Sequence, residues 1–163
     1  MRIDRVVVNA SPLICLCKSG LSSILSALFN EIVVPNKVYR EIMAKDNDTQ
    51  IFQTLFTTSQ IKIVSDITVP ASITSWDLGE GESSVLSFAL EHPDHWAVID
   101  DREARRCAMT LGCHHTGTVG VIVLAKKRKI IPSVRECLNK LQSAGLWLSQ
   151  DFIDEICQKF DED

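Results

Sequence analysis

Short apolar runs alternate with longer amphipathic segments, and this alternation constrains the fold more than any other feature of the chain. The runs are three or four residues long, and the first two are rich in Val and Ile, which is typical of buried strands. The segments between them place apolar residues three and four apart, which predicts helices of roughly 10 residues. Strands that alternate with helices favour a parallel sheet, so we predict an α/β fold. The predicted strands are 6–8, 31–34, 61–64, 96–99 and 113–116.

Several predicted helices begin at residues that suit a helix N-terminus. Ser11 and Pro12 are favoured at the cap and the first helical position. Asp77, with Glu80 three residues later, predicts a capping box for a helix that runs to about residue 91. Thr118 is predicted to cap a later helix. The segments 45–49 and 69–75 are predicted to be irregular.

Length and composition indicate one globular domain over residues 1–163. The hydrophobic fraction is 45% and the charged fraction 23%, which excludes a disordered chain. A net charge of −4 excludes a strongly basic coat for nucleic acid but is compatible with a local basic patch. No run of about 18 apolar residues and no signal peptide occurs, so we predict no membrane span and a cytoplasmic location.

The cysteine pattern does not indicate a disulfide framework. No CxxC pair occurs, and a cytoplasmic protein keeps its thiols reduced, so all six cysteines are expected to be free. Cys113, His114 and His115 suggest a zinc site at first sight. Adjacent residues on a strand point to opposite faces, however, so they do not readily share one ion.

Polar residues follow three of the predicted strands. Asn9 follows the first, Asp100 and Asp101 follow the fourth, and Thr118 stands shortly after the fifth. Ligands of open parallel sheets bind beyond the carboxyl ends of the strands, so these positions are where a site is expected. One of the two aspartates is also expected to cap the next helix. Neither GxGxxG nor GxxxxGK[ST] occurs, which excludes those two phosphate-binding loops.

Two glutamates on predicted helices could join these strand ends. Glu82 stands three, four and seven residues before Val85, Leu86 and Ala89, so it falls on the apolar stripe, where an acid needs a compensating partner. Glu41 lies at the edge of another apolar face, and its spacing is equally typical of a solvated charge.

The functional interpretation is that these oxygen-bearing side chains converge on a hard divalent cation. Mg²⁺ and Mn²⁺ prefer oxygen ligands and need only one or two direct carboxylates. Such an ion can activate water for attack on a phosphodiester. The expected ligands are Asn9, Glu41, Glu82 and Asp100 or Asp101.

Five motifs occur in order along the chain: Asn9-Ala10-Ser11-Pro12-Leu13-Ile14, Val34-Pro35 with Val38-Tyr39-Arg40-Glu41, Gly79-Glu80-Gly81-Glu82, Ile99-Asp100-Asp101-Arg102, and Gly117-Thr118-Val119-Gly120. Together they resemble the PIN-domain-like family, and in particular its DUF3368 branch. The resemblance runs from about Ile3 to Phe160. Each motif alone is weakly specific, but five in order with this spacing form a specific pattern.

The resemblance implies a three-layer α/β/α fold with a central parallel sheet. It also implies a metal-dependent endoribonuclease that uses Mg²⁺ or Mn²⁺ to cut RNA, kinship to toxins that pair with an antitoxin protein, and a homodimer. Carried over by motif, the catalytic and metal residues are Asn9, Glu41, Glu82 and Asp100, with Asp101 as a further metal ligand and Ser11 and Thr118 in support.

Basic residues offer two interpretations each. Arg102, Arg105 and Arg106 lie three and four apart on a helix that starts at the aspartates, so they could bind RNA phosphates or pair with surface acids. The run 126–129 ends a helix, where cations are favoured by the helix dipole without any ligand, and it could also contact an RNA backbone.

Asn9 departs from the family pattern, which usually has Asp at this position. An amide oxygen is neutral, so the site has one negative charge fewer and is expected to bind Mg²⁺ less firmly. Two hypotheses therefore stand: an active ribonuclease, or a degenerate PIN-like module that binds RNA or a partner protein without cutting. A scaffold that acts only through an antitoxin is a third.

Overall fold

The computed structural model describes residues 2–45 and 49–162, which contain a five-stranded sheet with all strands parallel. The strands are β1 (Arg5–Val8), β2 (Glu31–Pro35), β3 (Ile61–Val64), β4 (Trp96–Val98) and β5 (His115–Thr116). Their order across the sheet is β3-β2-β1-β4-β5. The five predicted strands and the parallel α/β fold are thus confirmed.

Helices cover the sheet and complete a three-layer α/β/α arrangement. Among them, α6 packs on β1, β2 and β4 and also contacts α3. No helix in the described part of the chain is long and apolar enough to cross a membrane. The helices are α1 (Ala10–Lys18), α2 (Ser23–Leu28), α3 (Asn36–Lys45), α4 (Thr49–Phe56), α5 (Ala71–Thr74), α6 (Glu80–Glu91), α7 (Arg102–Thr110), α8 (Thr118–Lys127), α9 (Val134–Ser143) and α10 (Gln150–Gln158).

The central strands are apolar at consecutive positions because both of their faces are covered. Val6, Val7 and Val8 in β1 are fully buried, whereas Lys62 and Ile63 in the edge strand β3 are exposed. Continuous burial in the middle of the sheet fixes β1 at its centre.

All six cysteines are free thiols.

The chain changes direction across the sheet between β1 and β4. It runs outward from β1 through β2 to β3, then crosses back to β4 and β5 on the other side of β1. Val8 is in register with Val98, and the Asn9 N–H donates to the Val98 carbonyl at 3.1 Å. Such a switch point leaves a crevice beyond the carboxyl ends of its two strands, so Asn9 and Asp100 come to one edge.

The start of α6 differs from the prediction. The helix begins at Glu80 with Gly79 as its N-cap, and Asp77 has a left-handed φ of 55°, so the capping box predicted from Asp77 and Glu80 is wrong. Glu82 takes the role assigned to Glu80, because its Oε2 accepts from the Gly79 N–H at 3.2 Å. Glu80 is left exposed in the first turn.

Of five other predicted helix starts, three are confirmed and two are wrong. Asp101, Ser133 and Ser149 cap α7, α9 and α10 through their side chains, which confirms those helix starts. The first helix begins earlier than predicted, at Ala10, with Asn9 rather than Ser11 at the cap. Similarly, Gly117 rather than Thr118 caps α8.

Two segments are more helical than predicted. The short helix α5 lies inside the segment 69–75, and α4 begins at the last residue of the segment 45–49. Residues 46–48 of the segment 45–49 lie outside the described part of the chain.

Glu162, near the C-terminus, caps α9 from outside the helix. Its Oε1 accepts from the Val134 N–H at 2.9 Å and pairs with Lys126 Nζ at 3.0 Å, while its Oε2 accepts from the Arg135 N–H at 2.9 Å and the Ser133 hydroxyl at 3.1 Å. One carboxylate therefore satisfies two unpaired N–H groups in the first turn and a lysine.

Glu162→Gln is expected to lower the free energy of unfolding at pH 7 by about 1–2 kcal/mol, after allowance for solvent screening. Burial on its own would raise the pKa of Glu162, but the bonds from Arg135, Val134, Lys126 and Ser133 outweigh it and lower the pKa from 4.5 to about 2. The folded state therefore binds this proton less tightly. Its stabilisation is complete above pH 4.5 and disappears as the pH falls towards 2.

Urea unfolding at pH 7, 4 and 2.5 measures this effect, with the exposed Glu155→Gln on α10 as the control. We expect the Glu162→Gln deficit to shrink as the pH falls. A deficit of the same size at pH 7 and pH 2.5 would contradict the capping role.

Candidate functional site

Asn9 places an unpaired oxygen at the carboxyl end of β1. It occupies the N-cap position of α1 with extended backbone, φ −80° and ψ 167°, but its side chain makes no capping bond. The residue is 5% exposed, and its buried Oδ1 has no hydrogen-bond partner within the described residues. A buried carbonyl oxygen without a partner costs about 1–3 kcal/mol, so this atom is poised to accept a donor or a cation.

Glu41, on α3, brings a carboxylate to the same space. A methyl group placed on Gly81 of α6 would lie 3.0 Å from Glu41 Oε2 and 3.4 Å from Asn9 Oδ1. The two oxygens therefore border one small volume, and the missing side chain of Gly81 leaves it open. The other carboxylate oxygen, Glu41 Oε1, accepts from Lys45 Nζ at 2.7 Å.

Glu82 lies beside these groups and carries a perturbed carboxyl. Burial is the largest cause that raises its pKa, followed by the negative charge of Asp101; the bond from the Gly79 N–H lowers it, and the charge of Glu41 raises it again. Carboxylates that repel each other at close range are stabilised by a cation between them. We call the cavity that they line, of about 480 Å³, the acid pocket; its walls include Asn9, Ser11, Lys37, Arg40, Glu41, Gly81 and Glu82.

Asp100 lies at the same sheet edge but is not part of the acid-pocket wall. Its Oδ1 accepts from the Thr118 N–H at 2.8 Å and its Oδ2 from the Thr118 hydroxyl at 2.5 Å. Thr118 is fully buried, so in this structure its hydroxyl orients the carboxylate. Burial first and the charge of Asp100 second raise the pKa of the Cys15 thiol, which places that charge near α1.

The Asp101 carboxylate caps a helix and also acts on the pKa of Glu82. Its Oδ2 accepts from the Ala104 N–H at 2.9 Å and caps α7, as expected for one of the two aspartates. Its charge still raises the pKa of Glu82. Asp101 is thus close to the acid pocket, which the side chains of Asn9, Glu41 and Glu82 line, whereas Asp100 is not among its lining residues.

The three arginines of α7 have different surroundings. Arg106 Nη1 pairs with Glu103 Oε1 at 3.1 Å, which is the surface-pair interpretation. Arg105 Nη1 would lie 3.9 Å from a methyl group on Gly117, beside the Asp100–Thr118 contact. The guanidinium groups of Arg102 and Arg105 make no hydrogen bond or ion pair with the residues that the structure describes, so both remain available to an anion.

The basic run at the end of α8 is partly structural. Lys126 Nζ donates to the Pro132 carbonyl and pairs with Glu162. Arg128 donates to the carbonyls of Leu28 and Ile3, at 3.0 and 2.9 Å. These two cations hold the fold together, so the run is not an open patch of four charges.

Three residues of the acid pocket were not predicted as site residues from the sequence. Lys37 and Arg40 lie on α3 at four residues and one residue before Glu41, so their spacing puts a cationic edge beside an acid. Gly81 was noticed only as part of a motif. The signal for Gly81 is its place between two glutamates at a helix start, where a residue without a side chain is otherwise unfavourable.

The side chains present suit a hard divalent ion. Within residues 2–45 and 49–162, no three His, Cys, Asp or Glu side chains form a preassembled metal cage. Mg²⁺ keeps several waters and is commonly held by one or two carboxylates, so the orphaned Asn9 Oδ1 beside Glu41 Oε2 fits such an ion.

Comparison with known families agrees with the topology. A family model described as a PIN domain, DUF3368, matches residues 5–162. The chain belongs to this PIN-domain family. A search of curated proteins finds no match. Membership places this PIN domain in a nuclease-type superfamily, for which nucleic acid is the substrate and divalent metals are in general use.

Glu82→Gln is expected to raise the stability of the metal-free PIN domain and to weaken Mn²⁺ binding. The fold raises the pKa of Glu82 above its usual 4.5, so stability falls as the pH rises through the titration of this group. Gln removes the charge and keeps an oxygen for the Gly79 N–H. We expect a gain of about 0.5–1 kcal/mol at pH 7 and none below about pH 4, the scale of interactions between partly exposed charges.

Thermal melts in a chelator and calorimetric titration with Mn²⁺ measure both effects. The exposed Glu91→Gln, at the other end of α6, is the matched control. A lower melting temperature for Glu82→Gln together with unchanged Mn²⁺ affinity would mean that Glu82 is only a helix cap.

Proposed function

We propose that this PIN domain is an endoribonuclease that depends on Mg²⁺ or Mn²⁺. The observation that carries the proposal is the buried, unpartnered Asn9 Oδ1 within reach of the same point as Glu41 Oε2. Two oxygens that face one open volume, with further acids at its rim, form the kind of donor set that a hard cation accepts. Family membership supports a nuclease.

The residues that would hold the ion are Asn9, Glu41 and Glu82, with Asp101 close to Glu82 and Asp100 at the same edge of the sheet. A bound Mg²⁺ or Mn²⁺ supplies an activated water for attack on a phosphodiester and neutralises the charge on the leaving oxygen. The chain's own contribution is to place the oxygens of Asn9 and Glu41 around one volume and to keep the Asp100 carboxylate oriented through Thr118.

Cations of the chain would bind the substrate backbone. Lys37 and Arg40 line the acid pocket on α3, and Arg102 and Arg105 lie on α7 behind the aspartates. Phosphate contacts of this kind position a nucleic acid without reading its sequence. Ser11, exposed at the pocket wall, can donate its hydroxyl to the same backbone.

The wider biological role follows from the resemblance and belongs to the same proposal. The protein would act in the cytoplasm as one domain over residues 1–163, as a homodimer, and as the toxin of a pair with an antitoxin protein. A small reading frame directly upstream of the coding region would support the antitoxin, and light scattering of the purified protein measures the oligomeric state.

A degenerate module that binds RNA or a partner without cutting is the second candidate. The observation that favours it is the neutral amide of Asn9 at the centre of the site. It predicts RNA binding that does not change when Mg²⁺ is removed.

Cleavage of a mixed-sequence RNA in Mg²⁺, in Mn²⁺ and in a chelator tests the proposal. We expect metal-dependent cuts that disappear in Glu41→Gln and persist in Glu103→Gln, which removes an exposed charge on α7. Binding with no cleavage under any of these conditions would favour the second candidate.

A further inference from the structure

A second cavity, of about 500 Å³, adjoins the acid pocket. Lys37, Arg40 and Glu80 belong to the walls of both, so the two spaces meet at the first turns of α3 and α6. We call the second space the side cavity. It lies beyond the carboxyl ends of β2 and β3 and is lined on one side by residues of the segment 65–69 and by Thr74 of α5. Its volume is in the range of small-ligand sites.

Two serine hydroxyl groups that line the side cavity have no hydrogen-bond partner among the described residues. Ser83 and Ser84 line it and are 8% and 4% exposed. Neither hydroxyl makes a hydrogen bond to any residue that the structure describes. By contrast Ser87, one turn later and outside the cavity, donates to the Ser83 carbonyl at 2.7 Å. A hydroxyl can donate one hydrogen bond and accept others, so Ser83 and Ser84 are available to a polar group of a ligand in the side cavity.

The remaining walls combine aliphatic and charged side chains. Val64, Ile67 and Leu78 supply aliphatic surface, and the cations Lys37 and Arg40 are shared with the acid pocket. Asp66 and Asp77 add acceptors. A free phosphate would meet these acids, and a purely apolar ligand would leave the serines unpaired. A flat ring with hydrogen-bonding edges, joined to a phosphate, would suit the aliphatic wall, the two serine hydroxyls and the two cations together.

We propose that the side cavity binds one nucleobase of the RNA, with its phosphate on Lys37 and Arg40. The proposal rests on the proposed function, because the adjoining acid pocket would hold the phosphodiester that is cut. A base can enter only when it is unpaired and unstacked. Ser83 and Ser84 would then contact the edge of the base, so that the cavity selects which nucleotide stands beside the cut.

Binding of the four ribonucleoside 5′-monophosphates to the metal-free full chain tests the proposal. Amide shifts in NMR spectra, recorded in a chelator, report the location and the affinity. We expect shifts at Leu78, Ser83 and Ser84, unequal affinities among the four bases, and weaker binding of ribose 5-phosphate. Ser83→Ala/Ser84→Ala should weaken the preferred nucleotide by about tenfold, the scale of two lost hydrogen bonds. Ser87→Ala, in the same helix, is the matched control.

Alanine is a better helix former than serine, so the double variant is expected to fold. Ser84→Leu, which fills the cavity, should abolish binding of the monophosphates, and a thermal melt shows whether it remains folded. No shift at the side cavity with any monophosphate, or equal binding of ribose 5-phosphate, would overturn the proposal.

Cleavage separates this proposal from the proposed function. We expect the double variant to change the distribution of cut positions in a mixed-sequence RNA. Unchanged positions together with weaker monophosphate binding would assign the cavity to a free nucleotide and overturn the RNA subsite. Base-selective binding to a chain that cuts no RNA would overturn the nuclease instead and leave the base site standing.

Discussion

Asn9→Asp is expected to tighten Mn²⁺ binding by about 1–2 kcal/mol, which is about five- to thirtyfold in the dissociation constant. The reason is local: Asn9 Oδ1 is buried, has no partner among the described residues and faces the same volume as Glu41 Oε2. A carboxylate in its place would give the ion a charged ligand without a change in side-chain size.

The same substitution should destabilise the metal-free protein. The new carboxylate would be buried close to Glu41 and Glu82, and both burial and like charges disfavour its ionised form. Stability should therefore fall as the pH rises above the usual Asp pKa of about 4. Saturating Mn²⁺ should reverse the loss, since a ligand that binds only the folded state stabilises it.

Asn139→Asp, on the exposed surface of α9, is the control for an added charge. Mn²⁺ calorimetry, melts with and without metal, and RNA cleavage rates together measure the effect. If Asn9→Asp leaves Mn²⁺ affinity at the wild-type value, residue 9 is not a metal ligand. Tight Mn²⁺ binding by Asn9→Asp with no cleavage would favour the binding module over the nuclease.

Gly81→Ala is expected to reduce Mn²⁺ affinity by at least about tenfold while the protein stays folded. The added methyl group would lie 3.0 Å from Glu41 Oε2 and 3.4 Å from Asn9 Oδ1, in the space between the two oxygens. Alanine is more favourable than glycine within a helix, and the group that must move is the end of a flexible side chain. A melting temperature within about 3 °C of wild type is expected, equivalent to about 1 kcal/mol.

Gly79→Ala provides the matched control two residues away. A methyl group there would be 3.6 Å from Glu82 Oε2, an ordinary contact, and would not enter the space between Asn9 and Glu41. We expect this variant to bind Mn²⁺ within about twofold of wild type. Equal losses in the two variants would mean that any disturbance of the α6 start weakens the site.

The strands could be predicted because burial on both faces forces consecutive apolar residues. Val6 to Val8 and Ile32 to Val34 are fully or almost fully buried. Their consecutive apolar residues therefore indicate strands that are covered on both faces. The positions of Asn9 and Asp100 follow from the same reasoning, because the ends of neighbouring parallel strands share an edge. Helices with side-chain caps, such as α9 after Ser133, were also readable.

Features set by tertiary contacts were not readable from local sequence. Asp77 and Glu80 have the spacing of a capping box, but the chain turns through a left-handed residue at Asp77 and starts the helix at Glu80. Glu82 matches both the apolar stripe and the cap, and only the fold shows that it borders other acids. The Arg128 bonds to the carbonyls of Ile3 and Leu28 join parts of the chain 125 and 100 residues apart, which no local pattern encodes.

Calorimetric titration of the wild-type chain with Mn²⁺, repeated on Glu41→Gln and Asn9→Asp, tests the central claim most directly. The account predicts a single class of site whose affinity falls in Glu41→Gln and rises in Asn9→Asp. It is contradicted if the wild-type chain binds no Mn²⁺, or if both variants bind it with the wild-type affinity.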